Sequence, residues 1–221
     1  MNLALFDLDN TLLRGDSDYN WAKFLISKGL LDEKEHTEKN EKFYQEYKDG
    51  VLDIYEFCEY QFRPLKNNKR KKLDHLREEY LAKIIKPLIS NKARELVRQH
   101  KENKDLCLII TATNSYITKP IASELGIENL IGTDPEEEGG EFTGAVLGTP
   151  SFQEGKVIRI KEWLAMNNKT LDSFDKTFFY SDSQNDIPLL EVVTNPVVVN
   201  PDEILKKIAI KKNWPEITLS D

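Results

Sequence analysis

Asp7 and Asp9 stand two residues apart directly behind the apolar run Leu3 to Phe6, which reads as a buried strand. Extended chain repeats every second residue, so both carboxylates leave the strand on one side. At about 4 Å and an effective dielectric of about 20, two such charges repel by roughly 4 kcal/mol, so a cation or a shared proton must accompany them. An Asp-rich turn that caps a helix at Ser17 or Asp18 is the plainer use of such a pair. Three further groups shift the balance toward chemistry. Thr111 follows Leu108-Ile109-Ile110, Lys156 follows Gly155, and Asp182 with Asn185 and Asp186 follows Phe178-Phe179-Tyr180. Singly these read as a helix cap, a solvent-facing lysine and a capped turn. Together they stand where strands end or helices begin, and in a parallel sheet those ends share the edge at which open α/β sheets bind ligands.

Phosphoryl transfer suits such a set, because it needs a nucleophile, a proton source and positive charge at the transferring oxygens. With Asp9 protonated, Asp7, Asp182 and Asp186 carry three negative charges, which Lys156 and one divalent cation would balance. A hard metal with oxygen ligands is implied, and Mg²⁺ is the natural choice.

The elements that must position these groups come in two textures. Residues 18 to 86 look almost entirely helical. Trp21, Phe24, Leu25 and Lys28 repeat at helical spacing before Gly29, and Asp32 caps a second helix running to Gly50. Asp53 opens a third helix that Pro64 stops, and Leu73, Leu76, Tyr80 and Ile84 mark a fourth before Pro87. Trp21, Phe24, Tyr44, Tyr47, Phe57 and Phe62 would form the core of this insertion. Lys66, Lys69, Arg70, Lys71 and Lys72 would be the solvated start of its last helix. From Ser90 onward helices alternate with apolar strands, which means a parallel sheet: a helix over 91–103, the strand Leu106 to Ile110, and a helix over 115–125. A small hairpin follows within 139–149, then a helix over 156–166 and the strands Thr177 to Tyr180 and Pro196 to Val199.

The 221 residues, 39% hydrophobic and 31% charged, suffice for one core with a sizeable insertion. A net charge of -7 argues against nucleic acid as a partner, since that affinity comes from Lys and Arg on phosphates. Cys58 and Cys107 read as buried thiols in a reducing compartment. No apolar stretch approaches the roughly 18 residues of a membrane span, and the N-terminus has acids where a signal peptide would be basic and then apolar, so a cytoplasmic protein without membrane contact is expected. His36, His75 and His100 sit in charged helical segments and read as solvated, which disfavours a zinc site or a Ser-His-Asp hydrolase.

In order along the chain, Asp7-x-Asp9-x-Thr11, Thr111, Lys156 and Asp182-x-x-Asn185-Asp186 resemble the four motifs of the haloacid dehalogenase superfamily of phosphohydrolases. The resemblance covers nearly the whole chain. The helical insertion is similar to the first-type cap of the phosphoserine phosphatase-like branch. Gly15-Asp16-Ser17, Phe142-Thr143-Gly144 and Ser181-Asp182-Ser183 resemble the subfamily IB hydrolases, which include histidinol-phosphate phosphatases. Thr111 where Ser is also common, and Ser183 in place of a frequent Gly, are small departures.

What the resemblance implies is an α/β fold with a Rossmann-like parallel sheet flanked by helices. Residues 1–15 and 88–221 would be the core domain, and residues 16–87 a helical cap inserted after the first strand. Asp7 would be the nucleophile that forms an aspartyl-phosphate, and Asp9 the acid and base. Asp7, Asp182 and the Asp9 backbone carbonyl would hold Mg²⁺, while Thr111, Lys156 and Asn185 bind phosphate with Asp186 in support. Asp16 and Arg63 are candidates to meet a substrate ammonium and carboxylate. The expected partner is a small phosphomonoester such as histidinol phosphate or phosphoserine. Transfer to an alcohol acceptor and a non-enzymatic phospho-accepting switch are the competing readings, and an acid/base at Asp9 speaks against a long-lived phosphoaspartate. Gly15 and Pro87 mark the two crossings into the cap as hinges.

Overall fold

Leu3–Phe6 (β1) is buried on both faces and forms the centre of the sheet in the computed structural model, which describes residues 1–219. Leu106–Asn114 (β2) pairs with one side of it and Thr177–Ser181 (β5) with the other, so that Phe6 lies level with Ile109 and Tyr180. Asn129–Glu138 (β3), Glu141–Leu147 (β4), Asn195–Val199 (β6) and Glu216–Ile217 (β7) complete the seven-strand order β4-β3-β2-β1-β5-β6-β7. Every pairing is parallel except that of β3 with β4. Because the chain leaves β1 in both directions, the crevice beyond its carboxyl end is the switch point of the fold.

Side chains of β1 divide by the period of two. Leu3 and Leu5 enter one apolar layer with Leu108, Ile160 and Leu205, while Ala4 and Phe6 enter the other with Ile109, Val97 and Ile117. Helices Glu154–Met166 (α7) and Glu203–Lys212 (α9) supply the first layer, Asn91–Glu102 (α5) and Ser115–Glu124 (α6) the second. A short helix, Ile187–Leu190 (α8), follows β5.

Between β1 and β2 run Ser17–Ser27 (α1), Glu33–Lys48 (α2), Ile54–Lys66 (α3) and Arg70–Tyr80 (α4). Asp16, Asp32 and Asp53 cap the first three by accepting backbone N–H groups of the first turn. The cap of α1 is thus Asp16, not Ser17 or Asp18. Pro64 does not stop α3; the helix continues to Lys66 with Pro64 and Leu65 buried, and that burial offsets the hydrogen bond the proline cannot make. Trp21, Phe24 and Phe62 are buried as expected, whereas Tyr44 is exposed and Tyr47 turns toward the α/β part of the chain. Arg70 is not solvated like its basic neighbours: its guanidinium lies 4.5 Å over the Phe142 ring and bonds Glu137 at 2.9 Å.

Two strands go beyond the sequence-based expectation. β3 runs parallel to β2 in its first half and then turns antiparallel to β4 across Gly139-Gly140, whose φ of 60° and 84° is the turn that glycine permits. Its Gly132, Pro135 and three consecutive glutamates hide the alternation. β7 is too short to leave a periodic signal.

His36 and His100 are buried, contrary to the solvated reading; His75 is exposed. His100 Nδ1 meets Asp105 Oδ2 and Nε2 meets the Tyr180 hydroxyl, each at 2.8 Å. Helical spacing could not show this, because both partners lie outside α5. Cys58 and Cys107 are free and buried, and burial pushes the Cys107 thiol up to about 11. Among the described residues no helix is long and apolar enough to cross a membrane. His100→Ala leaves Asp105 and Tyr180 without their buried partner and is expected to cost about 2 kcal/mol, a fall in Tm of about 4 to 8 °C by thermal melt.

Candidate active site

An ideal Cβ on Gly155 would stand 2.1 Å from the Pro150 carbonyl oxygen, so only glycine lets the start of α7 pass that loop. The next side chain, Lys156, is thereby directed inward and is only 3% exposed. Its Nζ donates to Asp7 Oδ1 at 2.7 Å and to Asp186 Oδ2 at 2.8 Å, and the Ser181 hydroxyl donates to the same Asp186 oxygen at 2.6 Å. The Thr11 hydroxyl donates toward Asp182 Oδ1 at 3.1 Å and Asp7 Oδ2 at 3.4 Å. The ends of β1 and β5 and the start of α7 therefore converge on one point.

Asp9 has different company. Its Oδ1 accepts the Ser17 N–H at 2.6 Å and its Oδ2 the Thr113 hydroxyl at 2.7 Å. Thr113 is not among the residues the motifs single out, although it follows Thr111 at strand period and so shares its face. Thr111 is buried beside this pair, and its Oγ1 accepts the Thr113 N–H at 3.2 Å rather than bonding a carboxylate. Asn185 Oδ1 accepts from Gln153 Nε2 at 2.9 Å, and its Nδ2 donates to the Tyr47 carbonyl at 3.3 Å. Tyr47 and Ser183 share a hydroxyl hydrogen bond of 2.7 Å, and Gln184 Nε2 donates to the Lys48 carbonyl at 2.6 Å. The end of α2 is thus tied to the loop that carries Asp182, which no sequence signal announces. Asp16 is exposed at the start of α1. Arg63 is not brought to these acids: its guanidinium lies 5.0 Å over the Tyr60 ring, and among the described residues it forms no ion pair with them.

Burial pushes the Asp7 carboxyl up to about 7; Lys156 pulls it down, while Asp186 and Asp9 push further up. Asp9 is likewise pushed up to about 7, first by burial and then by Asp16, against the donors at Ser17 and Thr113. Burial works against the Lys156 ammonium, yet Asp186 and Asp7 outweigh it and hold Lys156 above the ordinary lysine value. Among the described residues Asp182 forms no ion pair: burial, Asp7 and Asp186 all raise it well above the carboxylate range. Three acids around one lysine leave an excess of negative charge among oxygen donors, which fits a hard dication. No three His, Cys, Asp or Glu side chains among the described residues converge tightly enough to hold a metal alone; Asp7 and Asp182, which share the Thr11 hydroxyl, are the carboxylates that could contribute to such a site.

The family model of the haloacid dehalogenase-like hydrolases matches residues 4–191. The chain belongs to this family. The hydrolase is 47% identical over 215 residues to a protein named histidinol-phosphatase from Neisseria meningitidis serogroup C (strain 8013), with 97% of each chain covered. It is 29% identical over 233 residues to a phosphoserine phosphatase of Mycobacterium tuberculosis (strain ATCC 25618 / H37Rv), covering 96% of this chain and 68% of that one. A crystal structure of a protein of unknown function from Bordetella pertussis Tohama I superposes with a TM-score of 0.94 at 43% identity, covering 99% of both chains. A substrate-bound phosphoserine phosphatase shares the fold, with a TM-score of 0.69 at 17% identity over 99% of this chain and 92% of that one. The hydrolase is an enzyme of the phosphatase class.

A carboxyl whose folded-state pKa lies above its unfolded value subtracts stability at every pH above the unfolded value. Asp182→Asn is therefore expected to raise the Tm of the metal-free hydrolase by a few degrees, about 1 kcal/mol. Lys156→Met strips Asp7 and Asp186 of their cation and should cost about 3 kcal/mol. Thermal melts at neutral pH without divalent metal measure both, and opposite signs are the expected result.

Proposed function

We propose that the hydrolase is a Mg²⁺-dependent phosphomonoesterase of small metabolites that works through an aspartyl-phosphate on Asp7. The separation of its two neighbouring acids carries this reading: Asp7 is paired with Lys156 at 2.7 Å, whereas Asp9 is held by the Ser17 N–H and the Thr113 hydroxyl. Asp7 attacks phosphorus. Asp9, raised to about 7 and so partly protonated near neutrality, gives its proton to the leaving alcohol and then takes one from the attacking water. Lys156, kept in place by Asp186, offsets the developing charge, and Thr111 and Asn185 orient the phosphoryl oxygens. Mg²⁺ held by Asp7, Asp182 and the Asp9 carbonyl would supply Lewis-acid charge at those oxygens.

Residues 16–87 act as the cap and residues 1–15 and 88–221 as the core. Supporting this division, the two crossings run side by side: the Arg14 N–H donates to the Leu88 carbonyl and its guanidinium to the Pro87 carbonyl, each at 2.9 Å. Gly15 there has a φ of 141°, open to a hinge. Hydrolysis is favoured over a phospho-accepting switch because Asp9 stands ready to activate water. The substrate is an amino-alcohol ester, histidinol phosphate ahead of phosphoserine. The placement of Arg63 over Tyr60 supports that order, since a substrate carboxylate would lack the partner expected for it. The name of the 47% identical relative supports it too. Two free buried thiols are consistent with a cytoplasmic setting.

Asp7→Asn should lower turnover of nitrophenyl phosphate by about 10⁴-fold or more, and chelation should abolish it until Mg²⁺ is returned; undiminished turnover in either case refutes the mechanism. Thr113→Val loosens only the grip on Asp9. It should lower kcat about 30-fold with an alkyl phosphate but much less with nitrophenyl phosphate, whose leaving group needs no proton.

A further inference from the structure

Among the described residues four buried side-chain polar atoms lack a hydrogen-bond partner, and three of them, Ser17 Oγ, Asp18 Oδ2 and Trp21 Nε1, belong to the first turns of α1. Ser17, Asp18 and Trp21 are 0%, 9% and 3% exposed. Spacings of three and four residues put Trp21 on the same helix face as the other two. Asp18 Oδ1 has only a long contact, 3.5 Å from Asn114 Nδ2, and Asp18 forms no ion pair among the described residues. Asp16 and Asp9 lie near enough to reinforce what burial does, and both are acids. A buried carboxylate without a cation and an indole N–H without an acceptor are each uncommon, and the Ser17 hydroxyl beside them has only Asp9 within reach. Asp18 Oδ2 and Trp21 Nε1 in one place, with no partner among the described residues, point to a ligand.

The position of this cluster says which end of the ligand. Asp9 Oδ1 rests on the Ser17 N–H at 2.6 Å, so the leaving oxygen protonated by Asp9 lies at the doorstep of α1. Ser17 thus joins that doorstep to Asp18 and Trp21, one and four residues further along α1.

We propose that Ser17, Asp18 and Trp21 form the subsite for the nitrogen-bearing end of the leaving alcohol. Asp18 Oδ2 accepts from a protonated amine or a ring N–H, the Trp21 indole N–H donates to an unprotonated ring nitrogen, and the Ser17 hydroxyl takes either role. The subsite selects phosphate esters of alcohols that carry an amine and an imidazole-like ring. It rests on the phosphomonoesterase reading and gives that reading its specificity.

The test is a ratio: kcat/KM for histidinol phosphate divided by kcat/KM for propyl phosphate, in the Mg²⁺-loaded wild type and in the variants Asp18→Asn and Trp21→Phe. The wild-type ratio is expected at about 100 or above, falling about 20-fold or more in Asp18→Asn and about threefold in Trp21→Phe, with the change chiefly in KM. A structural role alone would lower both numerators and denominators and leave the ratio in place. An unchanged ratio in Asp18→Asn overturns the subsite and assigns these atoms to internal water. A wild-type ratio within about threefold of unity does the same while leaving the phosphatase reading intact, and this arm with Trp21→Phe decides the matter should Asp18→Asn fail to fold. If the wild type hydrolyses neither ester nor nitrophenyl phosphate, the phosphomonoesterase reading itself fails.

Discussion

A lysine ammonium enclosed between two carboxylates is the contact on which the rest of the molecule is arranged. Lys156 stands 149 residues from Asp7 and 30 from Asp186, so its charge is met only when the end of β1, the start of α7 and the turn after β5 come together. Leaving any of the three charges buried without its partners would be costly in a low-dielectric interior. The sheet order satisfies this demand by placing β5 directly beside β1. Gly155 satisfies it at close range, by letting α7 begin so near the Pro150 carbonyl that the following side chain can only point inward.

Two acids that the sequence sets side by side are given opposite surroundings. Asp7 spends one oxygen on Lys156 and turns the other toward Thr11 and Asp182. Asp9 is held by neutral donors from two other elements, the first turn of α1 and the end of β2. Burial pushes both carboxyls up to about 7, so what distinguishes them is their partners: an ammonium for Asp7, only neutral donors for Asp9. Both acids lie just beyond the end of β1, Asp9 already in the turn, and their neighbours decide what each can do.

The helices between β1 and β2 are more than an appendage. Tyr47 and Lys48 at the end of α2 bond the loop of Ser183, Gln184 and Asn185, so the insertion touches the segment that carries Asp182. At the opposite end, α1 begins on the Asp9 carboxylate itself. The Asp9 carboxyl therefore rests on a backbone N–H of the insertion, and any movement of α1 is felt at that acid.

Residue type and order alone determined the nature of the α/β sheet, the helical insertion, and the cluster of Asp7, Asp182, Asp186 and Lys156. Each rests on local signals: apolar runs followed by polar groups, and strands alternating with helices. Thr113 falls under the same period-of-two argument, since it leaves β2 on the face of Thr111. His100, Tyr47 and Arg63 were beyond it. A histidine in a charged helix looks solvated until Asp105 and Tyr180 are seen against it, and Tyr47 acquires its role from a serine 136 residues away. Arg63 looked free for a substrate, yet the nearest aromatic face claimed it. β3 was masked by glycine, proline and glutamate, because its pairing comes from neighbouring strands and not from its own alternation. Sequence period reports which face a side chain leaves from, and only tertiary packing decides what it meets there, since the partners that set its charge and its exposure come from distant segments.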